Sequence, residues 1–94
     1  MKRQYQWDKA KAKTNLAKHE VAFEVIHDFD WDTALTYEDE RWRYGEDRFF
    51  SFGLIDDRLH TLIWTWRDAQ VRVISLRKAN DRERKYYDTK IIHH

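Results

Sequence analysis

The sequence has no cysteine, no proline and only two glycines in 94 residues. Without cysteine there are no disulfides and no thiolate metal sites, a usage that suits a cytoplasmic protein. Two glycines cannot build a glycine-rich phosphate loop. No apolar run approaches the roughly 20 residues of a membrane-spanning helix, and no segment resembles a signal peptide, so no membrane association is expected. The five histidines show neither H-E-x-x-H nor another paired ligand spacing, and neither metal nor cofactor is expected. His19, His27 and His60 read as ordinary polar residues. A Ser–His–Asp triad on Ser51 or Ser75 lacks a nucleophile elbow. His93 and His94, which read equally as native residues or as the start of a purification tag, carry no assigned function.

What is present argues for a folded chain. Hydrophobic residues make up 41% and aromatic residues 16%, including five Trp, enough to outweigh 37% charged residues and exclude disorder. A chain of this length forms one domain, 1–94, with a single modest core. The net charge of +1 hides a segregation. Residues 1–18 carry six Lys/Arg against one acid, residues 19–60 four against twelve, and residues 61–94 eight against four. Two basic ends around an acidic middle suggest one surface for a polyanion and another for a different partner, unless folding mixes the charges in space.

In chain order, Tyr5–Gln6–Trp7 fits an edge strand and Asp8 an N-cap. Lys9–His19 is rich in good helix formers. Val21–Phe29 reads as a second, amphipathic helix, with Ala22, Val25, Ile26 and Phe29 on one stripe. Asp28, Asp30 and Asp32 begin like a calcium loop, but Thr33 stands where glycine is required and Asp39 where the closing Glu should be. Thr33–Tyr37 reads as a strand and Glu38–Gly45 as a loop. Asp47–Leu54, Leu59–Arg67 and Gln70–Leu76 read as a three-stranded meander. Its alternation puts Phe50, Phe52 and Leu54 beside Leu62, Trp64, Trp66, Val71 and Val73 on the core face. Ser51, Gly53, Thr61, Thr65, Arg67, Arg72 and Ile74 then fall on the wet face. Asn80 and Glu83 form an N-x-x-E capping pair that starts a last helix over Asp81–Lys90.

The stretch Gln70–Tyr87, with Arg67 just upstream, concentrates cations: Arg72, Arg77, Lys78, Arg82, Arg84 and Lys85, with Glu83 among them. Guanidinium groups bind phosphate in bidentate fashion, and aromatic rings stack bases. The same groups can promote attack of a ribose 2′-hydroxyl on the adjacent phosphate, with Glu46 or Glu83 as base, Arg72 and Arg77 as cations, and Lys78 or Tyr87 as acid. Two rival readings use the same residues. One is a module that binds nucleic acid without cutting it; the other is a protein-interaction module using the acidic middle and the tryptophans.

Trp7–Asp8 with Lys11, Asn15 and Lys18–His19 resembles the W-D-x-x-K-x-x-x-N-x-x-K-H opening of BrnT-type toxins. Val21–Ala22–Phe23–Glu24, Glu46–Asp47–Arg48 with Gly53–Leu54, Arg72 through Ala79, then Glu83–Arg84 and Tyr86–Tyr87, resemble later motifs of that family in order and spacing. Glu20 stands where the family has glycine. The resemblance implies an α+β, RelE-like fold: about four antiparallel strands, two N-terminal helices on one face and a C-terminal helix. It implies a metal-independent ribonuclease toxin of a type II toxin–antitoxin pair that inhibits translation. A BrnA-like antitoxin that binds operator DNA, and a toxin dimer within a two-plus-two complex, are implied as well. Carried over by position, Arg72, Arg77, Glu83, Glu46 and Tyr87 are the catalytic candidates, and Lys78, Arg67, Lys11, Trp7 and Arg48 the RNA-binding ones. Trp7 reads more readily as core than as a stacking platform, while Glu83 reads equally as a capping residue and Arg48 as a partner of Glu46 or Asp47.

Overall fold

The computed structural model describes residues 3–40 and 45–92. The stretch 41–44 of the expected loop and His93–His94 lie outside them. The elements follow in the order β1 (Tyr5–Gln6), α1 (Lys9–His19), a 3-10 helix (Phe23–Asp28), β2 (Leu35–Glu38), β3 (Arg48–Ile55), β4 (Arg58–Arg67), β5 (Gln70–Lys78) and α2 (Asp81–Ile92). The strands form one sheet in the order β1-β5-β4-β3-β2.

The sheet therefore has five strands rather than four, and it is mixed rather than antiparallel. β2 to β5 pair antiparallel, while β1 adds to β5 in parallel, with Tyr5 opposite Val71 and Gln6 opposite Arg72. No hairpin joins β1 to β5, so turn geometry does not dictate its direction; that is set by the entry into α1. Both hairpins close with two-residue turns whose central residues have positive φ: Asp56 and Asp57, then Asp68 and Ala69. That backbone matches the twist of the flanking strands.

α1 starts where Asp8 accepts the Lys11 amide at 2.9 Å. It ends at Glu20, which takes the left-handed conformation at φ 59° without being glycine. The second N-terminal helix is a six-residue 3-10 helix, not an α-helix. Its buried side chains explain why: Phe23, Ile26 and Phe29 recur every third residue, the period of a 3-10 helix, rather than every 3.6. So short a segment, with two β-branched residues, also gains little from α-helical propagation.

The main core lies on the sheet face under α1 and the 3-10 helix. Val21, Phe23, Ile26 and Phe29 meet Ile55, Leu62, Trp64, Val71, Val73 and Leu76 there, with Phe49 and Trp7 packed at its margin. On β3 the expected faces are exchanged by one residue. Phe49 pairs with Trp64 and Ser51 with Leu62, so Phe50, Phe52 and Leu54 belong to the other face. Gly53 lies on the core face, where a Cβ would run into the Phe29 ring. Ser51 accepts a hydrogen bond from Trp64 Nε1 at 2.9 Å. Phe52, Leu59, Ala79 and Tyr87 make a second, smaller core where α2 crosses one end of the opposite face.

Candidate functional site

α2 covers only part of that opposite face, and the remainder is where the arginines gather. Arg72 and Arg77 are five residues apart, so a regular strand would send them to opposite sides. A bulge removes the conflict: Val73 pairs with Trp64 and Ser75 with Ile63, leaving Ile74 as an extra residue on β5. Beyond it Arg77 pairs with Thr61 and Arg72 with Thr65, two positions of like parity on β4. Arg48, opposite Thr65 on β3, shares the face. So does Arg67, two residues after Thr65. Lys78, next to Arg77, falls on the other side of the strand end and is exposed.

Arg77 is the most firmly held of these. Its two terminal nitrogens donate to the two Glu83 carboxylate oxygens, each at 2.8 Å. Glu83 also accepts from the Asn80 amide at 2.9 Å and from the Thr61 hydroxyl at 3.0 Å, while its own amide donates to Asn80 Oδ1 at 2.8 Å. The capping pair and the ion pair thus share one carboxylate, whose side chain is 17% exposed. Burial alone would raise its pKa, but the hydrogen bonds from Arg77, Asn80 and Thr61 outweigh it and hold the carboxyl below its ordinary range. Glu83 in turn keeps the Arg77 guanidinium more firmly protonated. A carboxylate with its lone pairs so engaged is a weak proton acceptor and a strong orienting group.

Arg72 is held from the edge strand: Gln6 Oε1 accepts from it at 2.7 Å, and Gln6 Nε2 donates to the Arg67 carbonyl and the Gln70 side chain. Arg67 pairs with Glu46 at 3.0 Å. Counting along β4, this Arg67–Glu46 pair lies on the order of 20 Å from Arg77, and Arg72 lies between them. The candidates therefore form a row, not a single cluster.

One groove borders the Arg77–Glu83 pair, and a second cleft lies between α1 and β5. On the α2 side, Tyr37, Phe50, Phe52, Arg82, Glu83 and Tyr86 line an apolar groove of about 500 Å³. Tyr86 is exposed, and its hydroxyl meets that of Tyr37 at 2.6 Å, which pushes the Tyr37 pKa up to about 12. On the α1 side, Lys11, Thr14, Lys18 and His19 face Ile74 and Ser75 across a cleft of about 330 Å³. Burial, Lys18 and Arg77 together lower the His19 pKa, so its ring is neutral at neutral pH. Burial likewise lowers that of His60, whose Nδ1 lies 2.8 Å from the Arg58 carbonyl.

Trp7 and Tyr87 lie away from the open face. Trp7 packs edge-on against Phe23 at 5.9 Å on the core side of the sheet. Tyr87 is buried and donates to the Thr33 carbonyl at 2.9 Å, tying α2 to the turn that precedes β2. Gln6 and Tyr86 are not among the site candidates of the sequence, and His19 reads there as an ordinary polar residue. For Gln6 a signal existed, since alternation in Tyr5–Gln6–Trp7 turns it away from the core. For His19 the neighbour that matters, Arg77, is 58 positions away and only folding brings it near. Among the described residues, no group of three or more His, Cys, Asp or Glu is placed to hold a metal ion, and no helix is long and apolar enough to cross a membrane.

Residues 7–83 match a family model described as the ribonuclease toxin, BrnT, of type II toxin–antitoxin systems. A comparison with curated proteins finds no match.

Proposed function

From the chain's membership of the BrnT family of type II ribonuclease toxins, we propose that it cuts RNA laid across the Arg67–Arg72–Arg77 face, inhibits translation in the cytoplasm, and is neutralised by a BrnA-like antitoxin. The observation that carries this reading is the row of guanidinium groups on one open sheet face, with an aromatic groove beside its best-ordered member. The whole chain acts as one toxin domain, dimeric within a two-plus-two complex that reaches operator DNA only through the antitoxin.

In this reading a 2′-hydroxyl attacks the adjacent phosphorus, its proton passes to a base, and the 5′-oxygen leaves with a proton. A 2′,3′-cyclic phosphate remains, and no metal is required. Arg77 faces the charge that grows on the phosphorane, where a fixed cation stabilises the transition state more than the ground state. Glu83 acts through Arg77, keeping it charged and aimed. His19, whose ring burial and the charges of Lys18 and Arg77 keep neutral, is assigned the hydroxyl proton. The leaving oxygen draws its proton from solvent. Arg72, Arg48, Lys11 and Arg67 hold flanking phosphates, with Glu46 orienting Arg67. A base next to the cut stacks in the groove of Tyr37, Phe50 and Tyr86.

Inducible expression tests the reading. The unmodified chain should arrest growth and degrade RNA, and the Arg72→Ala plus Arg77→Ala variant should do neither. A folded chain that binds RNA in a salt-dependent way yet yields no cleaved product would make it a binding module instead. Toxicity that survives loss of both arginines would displace the site.

A further inference from the structure

A roomy cavity lies on the core-side face of the sheet, away from the arginine row. It measures about 760 Å³, and Arg3, Tyr5, His27, Trp31, Asp32 and Trp66 are among its walls. Its floor is a chain of ring contacts. Trp31 packs against Phe29 at 4.8 Å and Trp64 at 5.5 Å, and Trp64 meets Trp66 at 5.1 Å. Trp31 Nε1 donates to the Tyr5 hydroxyl at 2.7 Å, which fixes the indole, and Tyr5 meets the His27 ring edge-on at 5.3 Å. Trp66 is 49% exposed, large for a tryptophan with no catalytic neighbour. Asp30 on the same rim accepts from the Asp32 amide and the Thr33 hydroxyl, so the acidic loop is held in shape, and Asp32 is exposed.

One occupant is already visible. The Arg3 guanidinium lies 4.4 Å from the centroid of the Trp31 ring. The box therefore accepts a cation over an aromatic face beside carboxylates, a pairing favoured by both quadrupole and charge. Residues 19–60, which supply its acidic rim, carry twelve acids against four Lys/Arg.

We infer that this aromatic and acidic cavity is the anchoring site for the antitoxin, taking an Arg or Lys flanked by apolar side chains from that partner's chain. The inference rests on the antitoxin reading above. It separates partner anchoring from RNA binding, since Trp66 and Val71 lie on one face of the sheet and Arg67 and Arg72 on the other. The partner's cation takes the place of Arg3 over Trp31 beside Asp32, and its apolar neighbours cover Trp66.

The test is a binding titration with the cognate antitoxin, using the full chain and a Trp66→Ala plus Asp32→Asn variant. Both positions are exposed, so the variant should keep its thermal transition and its RNA cleavage. Its affinity for the antitoxin should fall at least tenfold. An affinity equal to that of the unmodified chain would overturn the anchoring site and leave the antitoxin reading intact. Failure of the unmodified chain to form any complex would overturn both.

Discussion

Replacing Glu83 with glutamine isolates the bond that orders Arg77. Glutamine keeps a carbonyl for the Asn80 amide and the Thr61 hydroxyl, and it serves in capping boxes as glutamate does. What it removes is the charge answered by two Arg77 contacts at 2.8 Å. The Glu83 side chain is 17% exposed and that of Arg77 33%, so solvent screens the pair only in part. Charge-assisted bonds in that setting are expected to contribute about 2 kcal/mol, or roughly 10 °C in Tm for a domain of this size. The sign of the pH dependence follows from the lowered pKa of Glu83. Its stabilisation is fully present above the carboxyl's unfolded value, and it is lost as pH falls through the lower folded value. Urea denaturation of both forms should show the full gap at pH 7 and a gap that narrows as pH falls below the ordinary carboxylate range. A gap that does not narrow would refute the ion pair as its source. In cleavage assays the variant should lose kcat more than KM, since Glu83 is argued to act through Arg77.

Asn15→Ala removes a side chain that donates to the Val21 and Leu76 carbonyls and accepts from the Leu76 amide. Leaving those buried groups unmatched should cost about 3 kcal/mol in chemical denaturation, and a loss under 1 kcal/mol would contradict the clamp between α1 and β5. Glu20→Gly should raise stability by about 1 kcal/mol, because Glu20 holds the left-handed conformation that glycine adopts without strain; a lower Tm would contradict this.

Much of the fold was legible in the sequence, and the failures have physical causes. α1 is found where its Asp8 cap and Ala/Lys/Leu content place it, and β4 and β5 keep Leu62, Trp64, Val71 and Val73 on one face as alternation requires. β3 slipped by one residue because Arg48–Ile55 is apolar on both sides: Phe49 serves one core and Phe50 and Phe52 border the other. Val21–Phe29 reads as an α-helix because Val25 completes a 3.6-residue stripe, which the structure does not use as its main buried row. The bulge at Ile74 left no mark in composition, yet it decides whether Arg72 and Arg77 share a face. Alternation turns Gln6 away from the core, but its partner Arg72 lies 66 positions away, beyond the reach of local pattern.

The most direct measurement is cleavage of a defined RNA by the purified chain in excess EDTA, with the new ends identified chemically. The account predicts 2′,3′-cyclic phosphate ends, no cut at a position carrying a 2′-deoxyribose, and loss of cleavage with Arg77→Ala. Intact RNA, or 5′-phosphate ends that appear only when a divalent cation is added, would contradict it.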